Sequence, residues 1–176
     1  MKRFISNLLI LLLISSVIIS ASKANAATVV LKQSDARLLA IETQLSQLIN
    51  AERAVRHLQL LAYDSRLAEV ARAHSAEMRD KKYFSHESPT PQLQWPLNRY
   101  QKGMENTPHL VAENIFQRWG GAPGIPADSA QQAHQAFMNS PGHKANILLP
   151  SATRVGIGVV ADAEGNVWVT EMFSRP

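Results

Sequence analysis

A change of hydrophobic period near the C-terminus most constrains the architecture. Val155-Gly156-Ile157-Gly158-Val159-Val160 and Val167-Trp168-Val169-Thr170-Glu171-Met172-Phe173 are β-rich runs, and Asp162-Ala163-Glu164-Gly165-Asn166 between them has turn composition, so a hairpin is expected. Upstream the period is helical. Ser34 or Asp35 can cap a helix whose apolar stripe is Leu38, Ile41, Leu45, Leu48 and Ile49, with Glu42 at its edge. Asp64 can cap a second helix, Ser65 to Lys81, with Leu67, Val70, Ala71, His74 and Met78 on one side. Helices first and strands last predict an α+β domain, with helices covering a small, mostly antiparallel sheet.

Between these blocks the signals are shorter. Tyr83-Phe84-Ser85-His86 leaves the second helix, and Glu87 to Pro91 is loop by composition. A short helix around Leu93 to Tyr100 requires Pro96 in its first turn, where a missing N–H costs nothing. Leu110 to Phe116 has no decided period. Trp119 to Pro126 reads as a flexible loop, and Asp128 as the cap of a helix reaching about Asn139. No repeat, low-complexity tract or second domain is visible.

The N-terminus reads as an export signal. Lys2 and Arg3 precede an apolar run from Leu8 to Ile19, and Ala24-Asn25-Ala26 offers the small-x-small cleavage pattern. The run is shorter than the roughly 20 residues of a spanning helix, so residues 1–26 are expected to be removed and no stable membrane span to remain. A short segment, 27–33, then leads into one domain over 34–176.

Export changes the charge argument. The whole chain has 18 Lys+Arg against 14 Asp+Glu, but Lys2, Arg3 and Lys23 lie in the leader, leaving 15 against 14. A net of +1 without a basic cluster gives no footprint for nucleic acid. With no cysteine the chain has neither a disulfide framework nor a cysteine lipid anchor, so its stability must come from a core.

His86, Glu113 and His143 are the candidate functional residues, each in a segment that interrupts regular periodicity. Two neutral imidazoles and a carboxylate suit a divalent ion such as zinc, and equally suit acid–base work on a bound substrate. Taken singly, each has a plainer reading. His86 can close the second helix, Glu113 and Asn114 can bond loop amides, and His143 can begin a helix through Lys144 to Leu148. His74 and Glu77 make an i, i+3 pair, but His74 sits on the apolar stripe as a core-edge histidine. No H-E-x-x-H, G-x-S-x-G or phosphate-loop motif is present. Ser85, Ser88 and Ser140 read as turn residues.

Taken in order, several segments resemble a known family. They are Leu48-Ile49-Asn50-Ala51-Glu52-Arg53, the helix from Leu67 to Met78, Tyr83-Phe84-Ser85-His86, Ala112-Glu113-Asn114-Ile115, Phe137 to Leu148 with its Ser140-Pro141-Gly142-His143 core, and Gly156-Ile157-Gly158. The set resembles the bacterial, cysteine-free branch of the CAP superfamily, which includes cysteine-rich secretory proteins, venom allergens and plant pathogenesis-related proteins. The resemblance implies an α-β-α sandwich with a groove holding His86, Glu113 and His143, a cluster that in some relatives binds zinc or another divalent ion.

Three departures stand out, one being that the second acidic residue of the eukaryotic cluster has no counterpart, since Asn139 and Ser140 occupy that region. Ala112 occupies a position where the family usually has glycine, so a left-handed backbone there would be strained. Glu171 stands where relatives often have glutamine, and is a further candidate metal ligand if it faces inward. The resemblance implies a secreted or periplasmic monomer that binds an extracellular ligand (lipid, glycan or peptide), with zinc or another divalent cation held weakly and no organic cofactor. The alternatives are a hydrolase using Glu113 or a histidine as base, and a structural cell-envelope protein with a vestigial groove.

Overall fold

In the computed structural model, which describes residues 33–120 and 124–176, β3 (Arg154–Ala161) and β4 (Val167–Arg175) pair antiparallel as the expected hairpin. Residues 1–32, which include the segment read as an export signal, lie outside the described residues, as do Gly121, Ala122 and Pro123 of the loop expected over 119–126. The chain divides into Met1–Arg37 and Leu38–Pro176; of the first, only residues 33–37 are described, and they are helical. Among the described residues no helix is long and apolar enough to cross a membrane.

The segment of undecided period, Leu110 to Phe116, belongs to a strand, β2 (Leu110–Arg118), which pairs antiparallel with β4. A two-residue strand, β1 (Ala62–Tyr63), adds in parallel to β3; two residues are too few to show a period in the sequence. The order β1-β3-β4-β2 makes β2 an edge strand. Ala112 pairs with Phe173 inside β2 and is not among the residues with positive φ, so the expected left-handed strain does not arise.

Alternation sorts the sheet into two faces. Val155, Ile157 and Val159 of β3, with Val169 and Phe173 of β4, pack into one core with Ile41, Leu45 and Ile49 of the first helix, α1 (residues 33–54). The same core takes Phe137 from α4 (Ser129–Asn139) and Ile147 from α5 (Pro141–Ile147). On the opposite face, Met172 packs with Leu67, Val70 and Ala71 of α2 (Ser65–Lys81) and Tyr100 and Met104 of α3 (Pro96–Met104). The result is the expected α-β-α sandwich.

The caps explain where the helices begin and end. Asp64 accepts from the Leu67 amide at 3.0 Å, as its position predicts, and α2 closes on Lys82 with φ 56°. Pro96 occupies the first turn of α3, and a single 3-10 turn at Pro91–Leu93 precedes it. Asp128 precedes α4 but makes no side-chain cap bond; it accepts instead from Gln132 Nε2 at 2.6 Å. Glu42, expected at the edge of a stripe, is fully buried: its carboxylate accepts from Arg72 Nε at 2.9 Å and from the Val159 amide at 3.0 Å, tying α1 to α2 and β3.

The Gly156-Ile157-Gly158 motif lets α2 lie directly on the sheet. A Cβ at Gly158 would stand 2.0 Å from the Arg72 backbone nitrogen, and main chain cannot yield as a side chain does. Gly158→Ala is therefore expected to lower stability by about 2–3 kcal/mol, the cost of overpacking a filled core. Urea unfolding checks this, and an unchanged midpoint would contradict the packing.

Candidate functional site

Glu113 lies in the middle of edge strand β2, on the face that carries α2 and α3, with its side chain only 1% exposed. Arg99 from α3 meets it there. Arg99 Nη2 donates to Glu113 Oε1 at 2.8 Å and Oε2 at 2.7 Å, and the guanidinium side chain is itself 3% exposed. The rest of the Arg99 fork holds the incoming loop: Nη1 donates to the Leu93 carbonyl at 2.7 Å and Nη2 to that of His86 at 3.0 Å. For a buried carboxylate, such a partner offsets part of the desolvation penalty.

His86 reaches the same carboxylate from the loop after α2, its Nδ1 standing 2.9 Å from Glu113 Oε1. A carboxylate paired with a guanidinium accepts, so Nδ1 is the donor in this bond. The loop that aims His86 is fastened by Glu77. Burial alone would raise the Glu77 carboxyl, but bonds from Lys81, Thr90, Ser88 and Tyr83 hold it down to about 2. Tyr83 donates at 2.9 Å and Ser88 at 2.8 Å. In return, burial and the Glu77 bond push the Tyr83 phenol up to about 12.

His143 enters from the other side of the edge strand, near the start of α5. Its ring stands edge-on to Phe137 at 5.3 Å, and Phe137 in turn meets Phe116 of β2 at 6.1 Å. Burial, with a contribution from nearby His86, lowers its pKa, so the ring is neutral at pH 7. The His86 and His143 ring centroids are 6.3 Å apart. The Ser-Pro-Gly turn thus places the His143 ring beside that of His86.

Asparagines lock α5 to β2. Asn114 Nδ2 donates to the His143 carbonyl at 3.1 Å, while Asn146 Nδ2 donates to Asn114 Oδ1 at 2.9 Å and the Glu113 carbonyl at 3.2 Å. The far end of α5 is held by Arg53, fully buried, whose guanidinium donates to Ile147 O at 2.8 Å and Leu149 O at 3.0 Å. Neighbouring Asn50 exchanges two bonds with the Leu61 backbone, at 3.0 and 2.9 Å. These contacts account for the Asn50 and Arg53 positions of the first motif: both are staples rather than reactive groups.

The decisive observation is a match over most of the chain: CAP, the Cysteine-rich secretory protein family, matches residues 47–173. The chain belongs to this family. It is 32% identical over 156 residues to the uncharacterized protein YkwD of Bacillus subtilis (strain 168), covering 89% of this chain and 54% of YkwD. It is 30% identical to the uncharacterized membrane protein YlbC of the same organism, over 67% of this chain and 31% of that one. A solved extracellular protein containing a SCP domain, from Bacillus anthracis str. Ames, is 34% identical with TM-score 0.64, covering 78% of this chain and 41% of that one. An outer surface protein from Borrelia burgdorferi, 19% identical with TM-score 0.64 over 77% and 92% of the two chains, shares the fold. The chain spans about half or less of the length of the three Bacillus proteins.

Within this CAP domain the residues named from sequence are sorted by the sheet. His86, Glu113 and His143 gather at the β2 edge. Glu171 does not join them: it pairs in register with Asn114, whose neighbour Glu113 faces the other way. Its carboxyl is 0% exposed, accepts from Asn114 Nδ2 at 3.0 Å and has no partner for Oε1 among the described residues; burial pushes it up to about 8. His74, expected at the core edge, is fully buried with Nε2 3.8 Å from Glu113 Oε1, and burial lowers its pKa. Arg99 escapes sequence reading, because a lone arginine in a short helix carries no signal of burial.

The donor set fits a metal only in part. Glu113 is engaged by Arg99 on both oxygens, and that fixed positive charge opposes a cation at the same carboxylate. That leaves the imidazoles of His86 and His143, whose ring centroids stand 6.3 Å apart. Glu113 behind His86 Nδ1 is the kind of partner that orients a ligating imidazole. Among the described residues no group of three His, Cys, Asp or Glu side chains is arranged to hold a metal ion.

Proposed function

We propose that the chain is an exported CAP binding module whose groove at the β2 edge engages an extracellular lipid, glycan or peptide through His86 and His143. The observation that supports this reading is the locking of Glu113. A carboxylate neutralised by Arg99 and bonded to His86 serves as a fixed anchor for an imidazole rather than as a base that takes a proton from water. Export is supported by the leader-like N-terminus and by the extracellular Bacillus anthracis relative.

In this reading the protein supplies a fixed hydrogen-bonding edge. His86 presents Nε2, with its tautomer set by Glu113, and His143 presents a neutral ring against Phe137. A divalent cation held by the two imidazoles would add positive charge for an anionic or carbonyl group of the ligand. With two protein ligands rather than three, zinc affinity is expected to be modest.

Calorimetric titration of zinc into the protein and into His86→Ala/His143→Ala tests the metal clause. A saturable heat in the parent that disappears in the double variant is expected. Glu113→Gln should retain part of it, because an amide oxygen can still accept from His86 Nδ1. Equal heats in parent and double variant would remove the metal from the proposal.

A further inference from the structure

A cleft opens on the same sheet face as Glu113, four residues further along β2. Gln117 and Trp168 are register partners there, and with Tyr83, Phe84 and Lys82 they line a depression of about 370 Å³ completed by Trp119. Its volume falls within the range of small-ligand sites. Four aromatic rings in one cleft is a large share of a chain with only three Trp, three Tyr and five Phe.

Three observations set this cleft apart from ordinary surface. Trp119 is 73% exposed and Phe84 48% exposed, so both leave large apolar faces in water at its rim. Trp119 is nevertheless anchored: the next amide, Gly120 N, donates to Asn166 Oδ1 at 2.6 Å, and Asn166 is clamped by Asp162 through bonds of 2.8 and 2.6 Å. A Cβ at Gly120 would meet the Glu164 carbonyl oxygen at 2.3 Å, so the segment lies flat on the hairpin turn. At the base, Trp168 is only 5% exposed, so it forms a fixed floor beneath the two exposed rings.

The polar groups fix the chemistry of the occupant. Among the described residues the Gln117 side chain makes no hydrogen bond, and Lys82, held at the end of α2 with φ 56°, has no ion-pair partner. Arg79 also lines the cleft but is paired with Asp80 at 2.7 Å, and the lining carboxylate of Asp162 is turned onto Asn166. What remains open to an occupant is a flat aromatic platform, an amide and a cation. A hexose ring offers an apolar face for the exposed Trp119 indole and hydroxyls for the Gln117 amide; a carboxylate on that ring answers Lys82.

We propose that this cleft is a binding site for a carboxylate-bearing glycan, separate from the His86–His143 groove. Titration with galacturonic acid oligomers, followed by calorimetry and tryptophan fluorescence, tests it against two controls. The methyl esters of the same oligomers keep the rings and lose the charge; poly-glutamate keeps the charge and lacks the rings. The acid oligomers should bind saturably, the esters several-fold more weakly, and poly-glutamate not measurably. Trp119→Ala, at an exposed position that leaves folding intact, should weaken binding by about tenfold or more, and Lys82→Gln by about three- to fivefold at low salt. Zinc heat should be unaffected by Trp119→Ala, so failure here and failure of the groove reading are distinguishable. No binding of the acid oligomers, equal binding by Trp119→Ala, or equal binding of poly-glutamate would each overturn the assignment, the last in favour of an acidic peptide.

Discussion

Arg99→Leu is expected to destabilise the folded chain by about 3–5 kcal/mol, the cost of leaving a buried carboxylate without its cation. Glu113 has a side-chain exposure of 1%, too little for water to replace the two guanidinium bonds at 2.8 and 2.7 Å. The loss is not of charge alone. Leu93 and His86 also lose the donor to their carbonyls, so the loop that aims His86 is loosened by the same change. Arg99→Lys should recover only part of the stability, since a single ammonium cannot span both carboxylate oxygens and the loop carbonyls together.

The double variant Arg99→Leu/Glu113→Leu separates these contributions. Removing both charges removes the desolvation penalty, so the pair of substitutions should cost much less than the sum of the singles, with a coupling of about 2–3 kcal/mol. Urea unfolding of the four proteins at pH 7 gives the cycle. Additive losses would mean that Glu113 finds another cation when Arg99 is absent, and the locked-carboxylate account of the site would then fail.

The same pair shows where sequence reading stops. The hairpin is legible because Val155, Ile157 and Val159 alternate with residues of the opposite face, and α2 is legible because Asp64 and the stripe from Leu67 to Met78 carry both a cap and a period. β2 is not, because its centre is Glu113-Asn114: an edge strand that builds the site on both faces replaces the apolar alternation with functional polar residues. In the sequence Glu77 is half of a weak i, i+3 pair, yet its partners lie up to 13 residues away in the loop it fastens. Long-range partners leave no local spacing to read. Arg53, Arg99 and Glu42 share this property, each a charged residue that composition assigns to the surface and the fold buries.

Glu171→Gln should stabilise the protein at neutral pH and above. Burial raises the folded carboxyl from 4.5 to about 8, while the unfolded chain titrates near the ordinary value. Between those two pH values the folded state holds a proton that the unfolded state has released. Stability from this group is therefore present in full below about pH 4.5, declines as pH rises, and is gone once pH passes about 8. The decline amounts to roughly 3 kcal/mol at about pH 7. Glutamine removes the titration while its amide oxygen can still accept from Asn114 Nδ2.

Histidines act in the opposite direction, which is why the comparison must be made against the parent at each pH. His74, His134 and His143 all have folded values lowered by burial, so each contributes stability that increases as pH rises toward 6.5 and is constant above it. Parent and variant share those three groups, and their difference isolates Glu171. Unfolding midpoints near about pH 5, 6.5 and 8 should show a gap that widens steadily with pH in favour of Glu171→Gln. A constant gap would mean that Glu171 is already ionised in the folded chain and has found a cation or water path, and the sheet face behind Asn114 would then not be the dry layer that its 0% exposure describes.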